Sequence, residues 1–133
     1  MLLTFSCLLP IAAQSYIVPS PQREVRAVWF CTLGGMSGPG HQYAQTAYTA
    51  ELQKRLLCQT FDQLQRAGIN TILFQTRLRS TTAYPSRYEP WDGAFSGTPG
   101  VAPPYDVLAF AEEEAHRRGM ELHAYLVAYP ICS

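Results

Sequence analysis

The sequence predicts an α/β fold built on a parallel sheet. Two observations predict it: segments rich in β-branched and aromatic residues alternate with helix-patterned segments in the order β-α-β-α-β, and only a short turn separates the first predicted helix from the strand that follows. With 47% hydrophobic and 12% aromatic residues, the 133-residue chain has the composition of a globular protein. Ten Lys and Arg balance ten Asp and Glu without a basic cluster, which argues against nucleic acid or an anionic membrane as a partner.

The segment before the first strand has the features of an export signal. Residues 1–14 are almost wholly apolar and end in Ala12-Ala13-Gln14, which predicts a secretory signal peptide rather than a structural strand. No Lys or Arg precedes the apolar run, which leaves the true start codon open, and Cys7 leaves a lipoprotein anchor as the less favoured alternative. The run is too short to span a bilayer, so we expect no transmembrane segment. After a linker of residues 15–22, the domain occupies residues 23–133, and we expect a periplasmic or cell-surface location.

The first half of the chain contains one predicted strand and one predicted helix. Residues 24–32 are rich in β-branched and aromatic residues and form the first strand. Thr49 is a plausible N-cap, and Gly68 is a good residue to end the helix of residues 50–67. One apolar stripe defines this helix: Leu52, Leu56, Leu57, Phe61 and Leu64.

The second half contains two further strands and another helix. Residues 70–77 and 121–127 are the strands, and Asp106 can cap a helix of residues 107–118. Its predicted inward positions are Leu108, Ala111 and Ala115. Its charged residues pair at i,i+4 spacing and predict a solvated face: Glu113 with Arg117 and Glu114 with Arg118.

The candidate binding residues lie near the ends of the later strands. Alternation along the second strand predicts that Gln75 and Arg77 point to one side, where burial is costly without a partner. A polar ligand and a salt bridge to a carboxylate of an absent strand explain that pair equally well. His123 and Tyr125 share a face of the third strand in the same way, and a structural or ligand-orienting role for His123 is favoured over acid–base chemistry.

The connection of residues 78–104 is long and lacks periodicity, which is typical of functional loops. Aromatic rings beside carboxylates suit a sugar; the alternative is a loop packed on its own aromatics, which Pro90 favours for Trp91. Glu89 and Asp92 are not predicted to be a catalytic pair, because nothing shows that they converge on one bond. The aromatic and acidic residues considered for sugar binding are Tyr84, Tyr88, Glu89, Trp91, Asp92, Phe95 and Tyr105, of which Tyr105 lies just beyond the connection.

Two other sequence features do not predict a cofactor. The spacing of Gly35 and Gly40 resembles a phosphate-binding loop, but His41-Gln42 stands where Lys and Ser or Thr are required. The cysteines that remain after signal removal have no zinc-site spacing, and we expect them to be buried and unpaired: Cys31, Cys58 and Cys132. We therefore predict neither a cofactor nor a metal site.

Two architectures fit three parallel strands and two helices. One is a small doubly wound domain, and the other is a partial TIM (β/α)8 barrel that comprises strands one to three with two helices. We prefer the partial barrel, because a doubly wound domain normally continues to further strands after the third.

A partial barrel with two open sheet edges is not expected to fold stably alone. Hydrogen exchange on residues 15–133 checks this expectation. Cooperative protection of the second strand would contradict it.

Several segments together resemble the glycosyl hydrolase-like family 10 domain, especially its secreted, Bacteroides-type versions: residues 23–29, 70–77, 84–91, 105–119 and 121–125. The resemblance implies a TIM-type barrel, hydrolysis of O-glycosidic bonds in a glycan, and export. It also carries the family's Gln-x-Arg onto Gln75 and Arg77, its Glu-Pro-Trp onto residues 89–91, and its strand-three His onto His123. Ser37-Gly38 and Val127 depart from the Asp-Trp and Asn of many relatives, so the substrate is expected to differ.

The resemblance implies that the catalytic carboxylates lie on later strands, so the catalytic residues are unknown and the fragment alone is expected to be inactive. The predicted substrate-binding residues are Gln75, Arg77, His123, Tyr125, Trp91 and Asp92. The alternative is a carbohydrate- or cell-wall-binding barrel protein without catalysis. The glycan, its linkage, retention or inversion, and the oligomeric state stay open.

Overall fold

The computed structural model describes residues 24–31 and 50–129. The predicted signal peptide and linker, the glycine-rich loop, Thr49 and Cys132 lie outside these residues. The elements are β1 (Ala27–Phe30), α1 (Ala50–Arg66), β2 (Thr71–Leu78), β3 (Thr81–Thr82), α2 (Gly93–Ser96), α3 (Val107–Arg117) and β4 (Glu121–Leu126). The predicted strands and helices correspond to β1, α1, β2, α3 and β4, whereas β3 and α2 were not predicted.

The sheet is centred on β2. β1 and β4 pair with it in parallel on its two sides, and β3 pairs antiparallel with its last residues. The parallel strands therefore lie in the order β1, β2, β4, which is their order in the chain. Because parallel strands end at the same sheet edge, the residues that follow β1, β2 and β4 all leave from one side. This confirms the predicted α/β class.

The two long helices cover one face of the sheet. Phe61 of α1 packs edge-on against Phe30 of β1, which stacks on Phe74 of β2. Ala111 and Ala115 of α3 complete the same buried cluster. A doubly wound domain has helices on both faces of its sheet. In the described part of the chain the two long helices lie on one face of the sheet, which is consistent with part of a (β/α) barrel.

The turn between β2 and β3 adopts a costly conformation. Leu78 pairs with Thr81, so the turn consists of Arg79 and Ser80, whose φ angles are 51° and 58°. This is the two-residue hairpin turn that normally uses Asn-Gly, since side chains are disfavoured at positive φ. The missing glycine explains why sequence reasoning did not find β3.

Relieving this turn should stabilise the domain. We expect Ser80→Gly to raise the free energy of unfolding by about 0.5–1 kcal/mol, because glycine adopts positive φ without a steric penalty. Urea denaturation of the chain expressed with its downstream coding sequence measures the change, and Ser80→Ala, which keeps the Cβ, is the control. A lower stability for the glycine variant would contradict the turn geometry.

Charged side chains on α3 lie against α1 rather than in solvent. The Arg118 side chain is 5% exposed and that of Glu114 is 13% exposed, and the two form a salt bridge. Arg118 also donates to Asp62 of α1 at 2.7 Å, and the Cys58 thiol donates to Glu114 at 3.2 Å. Burial raises the pKa of Cys58. The solvated-face prediction is wrong for this pair, and Arg117 bonds to Glu114 instead of Glu113.

Candidate functional site

The sheet face opposite the helices brings several predicted site residues together. We call it the open face, defined by Trp29, Leu73, Gln75, His123 and Tyr125. Trp29 and His123 lie opposite Leu73, and Tyr125 lies opposite Gln75, so alternation places all five on one side. Trp29 is 62% exposed and the His123 side chain 58%. The predicted shared face of His123 and Tyr125 is confirmed, while their role in binding stays a prediction.

Tyr125 is held on this face by both a ring contact and a polar contact. Its ring packs edge-on against Trp29 with ring centroids 4.8 Å apart, and its hydroxyl lies 3.2 Å from the Cys31 thiol. Burial, and next the contact with Cys31, raises the pKa of Tyr125, so its hydroxyl stays protonated and can both donate and accept. Sequence reasoning missed Trp29 and Cys31, although the alternation that grouped His123 with Tyr125 could have identified them.

Arg77 is held by the protein itself. Its Nε and Nη2 donate to the Glu89 carboxylate at 2.6–3.0 Å, and its Nη1 donates to the carbonyls of Val127 and Ala128 at 2.8 and 3.1 Å. The hydrogen bonds with Arg77 lower the pKa of Glu89. Arg77 therefore forms a salt bridge, as the second alternative predicted. Its partner differs from the prediction, because the carboxylate comes from the connection and not from an absent strand.

A β-bulge separates Gln75 from Arg77. Gln75 pairs with Tyr125, but Arg77 pairs with Leu126, so β2 advances two residues while β4 advances one. Thr76, the extra residue, donates from its hydroxyl to the Tyr125 carbonyl at 3.1 Å. The prediction that Gln75 and Arg77 share a side assumed unbroken alternation, and the register shift between the two residues means that alternation alone does not place them together. Gln75 lies on the open face, and Arg77 lies at the carboxyl edge of the sheet beside the connection.

Trp91 and Asp92 anchor the connection. Trp91 forms a β-bridge with Thr82 and packs against the core, as the alternative interpretation predicted. Asp92 caps α2 by accepting from the Ala94 amide, and its other carboxylate oxygen accepts from Thr81, both at 2.9 Å. Both residues therefore have structural roles, whatever they contribute to binding. Two other aromatic residues of the connection differ from each other: Phe95 is buried in the core, whereas Tyr88 is almost fully exposed.

Gln53 fixes the end of the connection to α1. This buried amide donates to the Phe95 carbonyl at 2.8 Å and accepts from the Tyr105 hydroxyl at 2.9 Å. Burial raises the pKa of Tyr105 to about 12, so this donor stays protonated. Sequence reasoning missed Gln53, because a glutamine inside an apolar stripe looks like an exposed position. The connection is thus held at two places, by Arg77 at Glu89 and by Gln53 at Phe95 and Tyr105.

A cavity of about 490 Å³ lies between the start of α1 and the connection, where the Lys54 ammonium sits 4.8 Å from the centre of the Tyr105 ring. None of the predicted binding residues lines it. Within residues 24–31 and 50–129, no cluster of three His, Cys, Asp or Glu could hold a metal, and no helix is both long and apolar enough to cross a bilayer. The open face and its carboxyl edge therefore form the candidate site.

Comparisons with known proteins agree with the resemblance seen in the sequence. Glycosyl hydrolase DigH of Escherichia coli K12 is 34% identical over 112 residues, which cover 82% of this chain and 26% of that protein. Glycosyl hydrolase YngK of Bacillus subtilis 168 is 32% identical over 128 residues, which cover 96% of this chain and 24% of that protein. The chain thus spans about a quarter of the length of these curated relatives. The family described as glycosyl hydrolase-like 10 matches residues 24–130, and the chain belongs to that family.

Proposed function

We propose that this chain supplies the first strands of a TIM-type (β/α)8 barrel glycoside hydrolase that cleaves O-glycosidic bonds in a glycan. The observation that carries the proposal is the open face, where an exposed Trp29 stands beside the polar groups of Gln75, His123 and Tyr125. Family membership and the names of the relatives support the same activity. In a barrel of this kind, the open face would turn toward the interior and the carboxyl edge would form the mouth.

Each residue then has a role that follows from its surroundings. The neutral Tyr125 hydroxyl and the His123 ring hydrogen-bond sugar hydroxyls, with Gln75 beside them, and Trp29 offers an apolar ring to a sugar face. Arg77, with Trp91 and Asp92, fixes the connection at the mouth, because its guanidinium nitrogens already have protein partners. The catalytic acid and its partner carboxylate come from later strands.

The remaining parts of the proposal concern location and catalysis. We propose export to the periplasm or cell surface, for which cell fractionation is the test. The coding sequence that follows residue 133 should be expressed with this chain, and release of reducing ends from glycans should be measured. Release supports the hydrolase, whereas binding without release supports the non-catalytic carbohydrate-binding protein. Absence of both contradicts the proposal.

His123→Ala should weaken glycan binding by about tenfold, because it removes one hydrogen bond to the ligand and the loss of one such bond typically reduces affinity by about that factor. The side chain is 58% exposed in the described part of the chain, and thermal denaturation checks that the variant keeps the wild-type fold. Isothermal titration calorimetry measures the change. His116→Ala, an exposed histidine on α3, is the matched control and should bind like the wild type. Equal binding by the two variants would remove His123 from the site.

A further inference from the structure

Two tyrosines at the carboxyl edge of the sheet are almost fully exposed among residues 24–31 and 50–129. Tyr88 is 94% exposed and Tyr129 is 92% exposed, the highest values among the exposed large hydrophobic residues that the structure describes. Tyr88 belongs to the connection after β2, and Tyr129 follows β4. Both thus lie beyond the carboxyl ends of neighbouring parallel strands. We call them the rim pair.

The backbone around the rim pair is held in place although the rings are free. The Ser86 hydroxyl accepts from the amides of Tyr88 and Glu89, both at 3.2 Å. The Glu89 carboxylate and the Ala128 carbonyl, each next to one tyrosine, both bind the Arg77 guanidinium. One side chain therefore links the segment that carries Tyr88 to the segment that carries Tyr129, and this restraint on the backbone lowers the entropy lost when a ligand orders the rings.

The surroundings of the rim pair suit a sugar better than a protein. A protein partner is expected to need a contiguous apolar patch, whereas here the Arg77–Glu89 ion pair adjoins the backbone beside both tyrosines. A sugar has apolar ring faces for stacking and hydroxyls that tolerate charged neighbours. The rings also lie outside the open face, so a ligand that touches both places must extend over several sugar units.

We propose that Tyr88 and Tyr129 form a stacking subsite for a polymeric glycan, with Arg77 and Glu89 as positioning residues. This inference rests on the proposed function, because it extends the binding site of the open face along a longer chain. It assigns the specificity for chain length to the rim and the recognition of individual hydroxyls to the open face.

Affinities for two lengths of the same glycan test the subsite. With the chain and its downstream coding sequence expressed together, binding of cello-, xylo- and chito-oligosaccharides is measured by calorimetry for hexaoses and bioses. Tyr88→Ala and Tyr129→Ala should each weaken hexaose binding about tenfold and change biose binding by less than about twofold. Tyr88→Phe, which keeps the ring, and Val101→Ala, another exposed apolar residue of the connection, should match the wild type.

The positioning role has its own measurement. Arg77→Lys keeps the charge but loses the paired hydrogen bonds, so it should weaken hexaose binding. Its effect should not add to that of Tyr88→Ala in a double-mutant cycle, whereas a purely structural effect should add. If both tyrosine variants bind hexaose normally while His123→Ala does not, the subsite is overturned and the proposed function stands. If the wild type binds none of the sugars, both are overturned.

Discussion

Phe61→Ala should lower the free energy of unfolding by about 3–5 kcal/mol, because it opens a cavity where the helices meet the sheet. Phe61 is fully buried and meets Phe30 edge-on, with ring centroids 5.7 Å apart. Phe30 in turn stacks on Phe74 of β2 at 5.3 Å. The substitution should therefore weaken packing between α1 and β1 directly, and between β1 and the central strand β2 through Phe30. Urea denaturation of the chain expressed with its downstream coding sequence, followed by circular dichroism, measures the loss of stability.

The control for this variant is Tyr88→Ala, which removes a ring of similar size from the surface. Tyr88 is 94% exposed, and its truncation should change stability by no more than about 0.5 kcal/mol. Small domains are stable by only about 5–15 kcal/mol, so the Phe61 variant should be close to unfolding at room temperature. A cost below about 1 kcal/mol would mean that α1 does not pack on the sheet as described.

The long elements could be predicted from the sequence, and the short ones could not. Helical periodicity located α1 as residues 50–67 against an observed Ala50–Arg66, and the Asp106 cap located the start of α3. β3 and α2 are two and four residues long, too short to show a period. Their existence depends on partners along the connection: Thr82 bridges to Trp91, and Asp92 caps α2 while binding Thr81.

The positions of candidate-site residues could be predicted where the alternation of side chains along one regular strand determines them. His123 and Tyr125 share a face because β4 is regular, whereas the register shift at Thr76 interrupts the pairing between Gln75 and Arg77. A bulge depends on how two strands pair and leaves no signal in one strand alone. The partner of Arg77 could not be predicted either, since the folding of the connection decides which carboxylate reaches the guanidinium.

Glu114 should make stability depend on acid pH. Hydrogen bonds, first from Arg117 and also from Arg118 and Cys58, lower the pKa of Glu114 from 4.5 to about 2, against the opposing effect of burial. The folded state thus favours the carboxylate more than the unfolded state does. This contribution, at most about 3 kcal/mol, is fully present above pH 4.5 and is lost as the pH falls toward 2.

Glu114→Gln separates this contribution from the general effect of acid. The variant should be less stable than the wild type by up to about 3 kcal/mol at pH 7, because the buried Arg118 loses one of its two carboxylate partners and keeps Asp62. The difference should shrink below pH 4.5. Glu113→Gln removes the same charge from the adjacent exposed position and should leave the pH profile unchanged. Urea denaturation from pH 7 to pH 2, with the chain and its downstream coding sequence expressed together, compares the variants. If the Glu113 and Glu114 variants have parallel profiles, the ion pairs of Glu114 with Arg117 and Arg118 do not stabilise the fold.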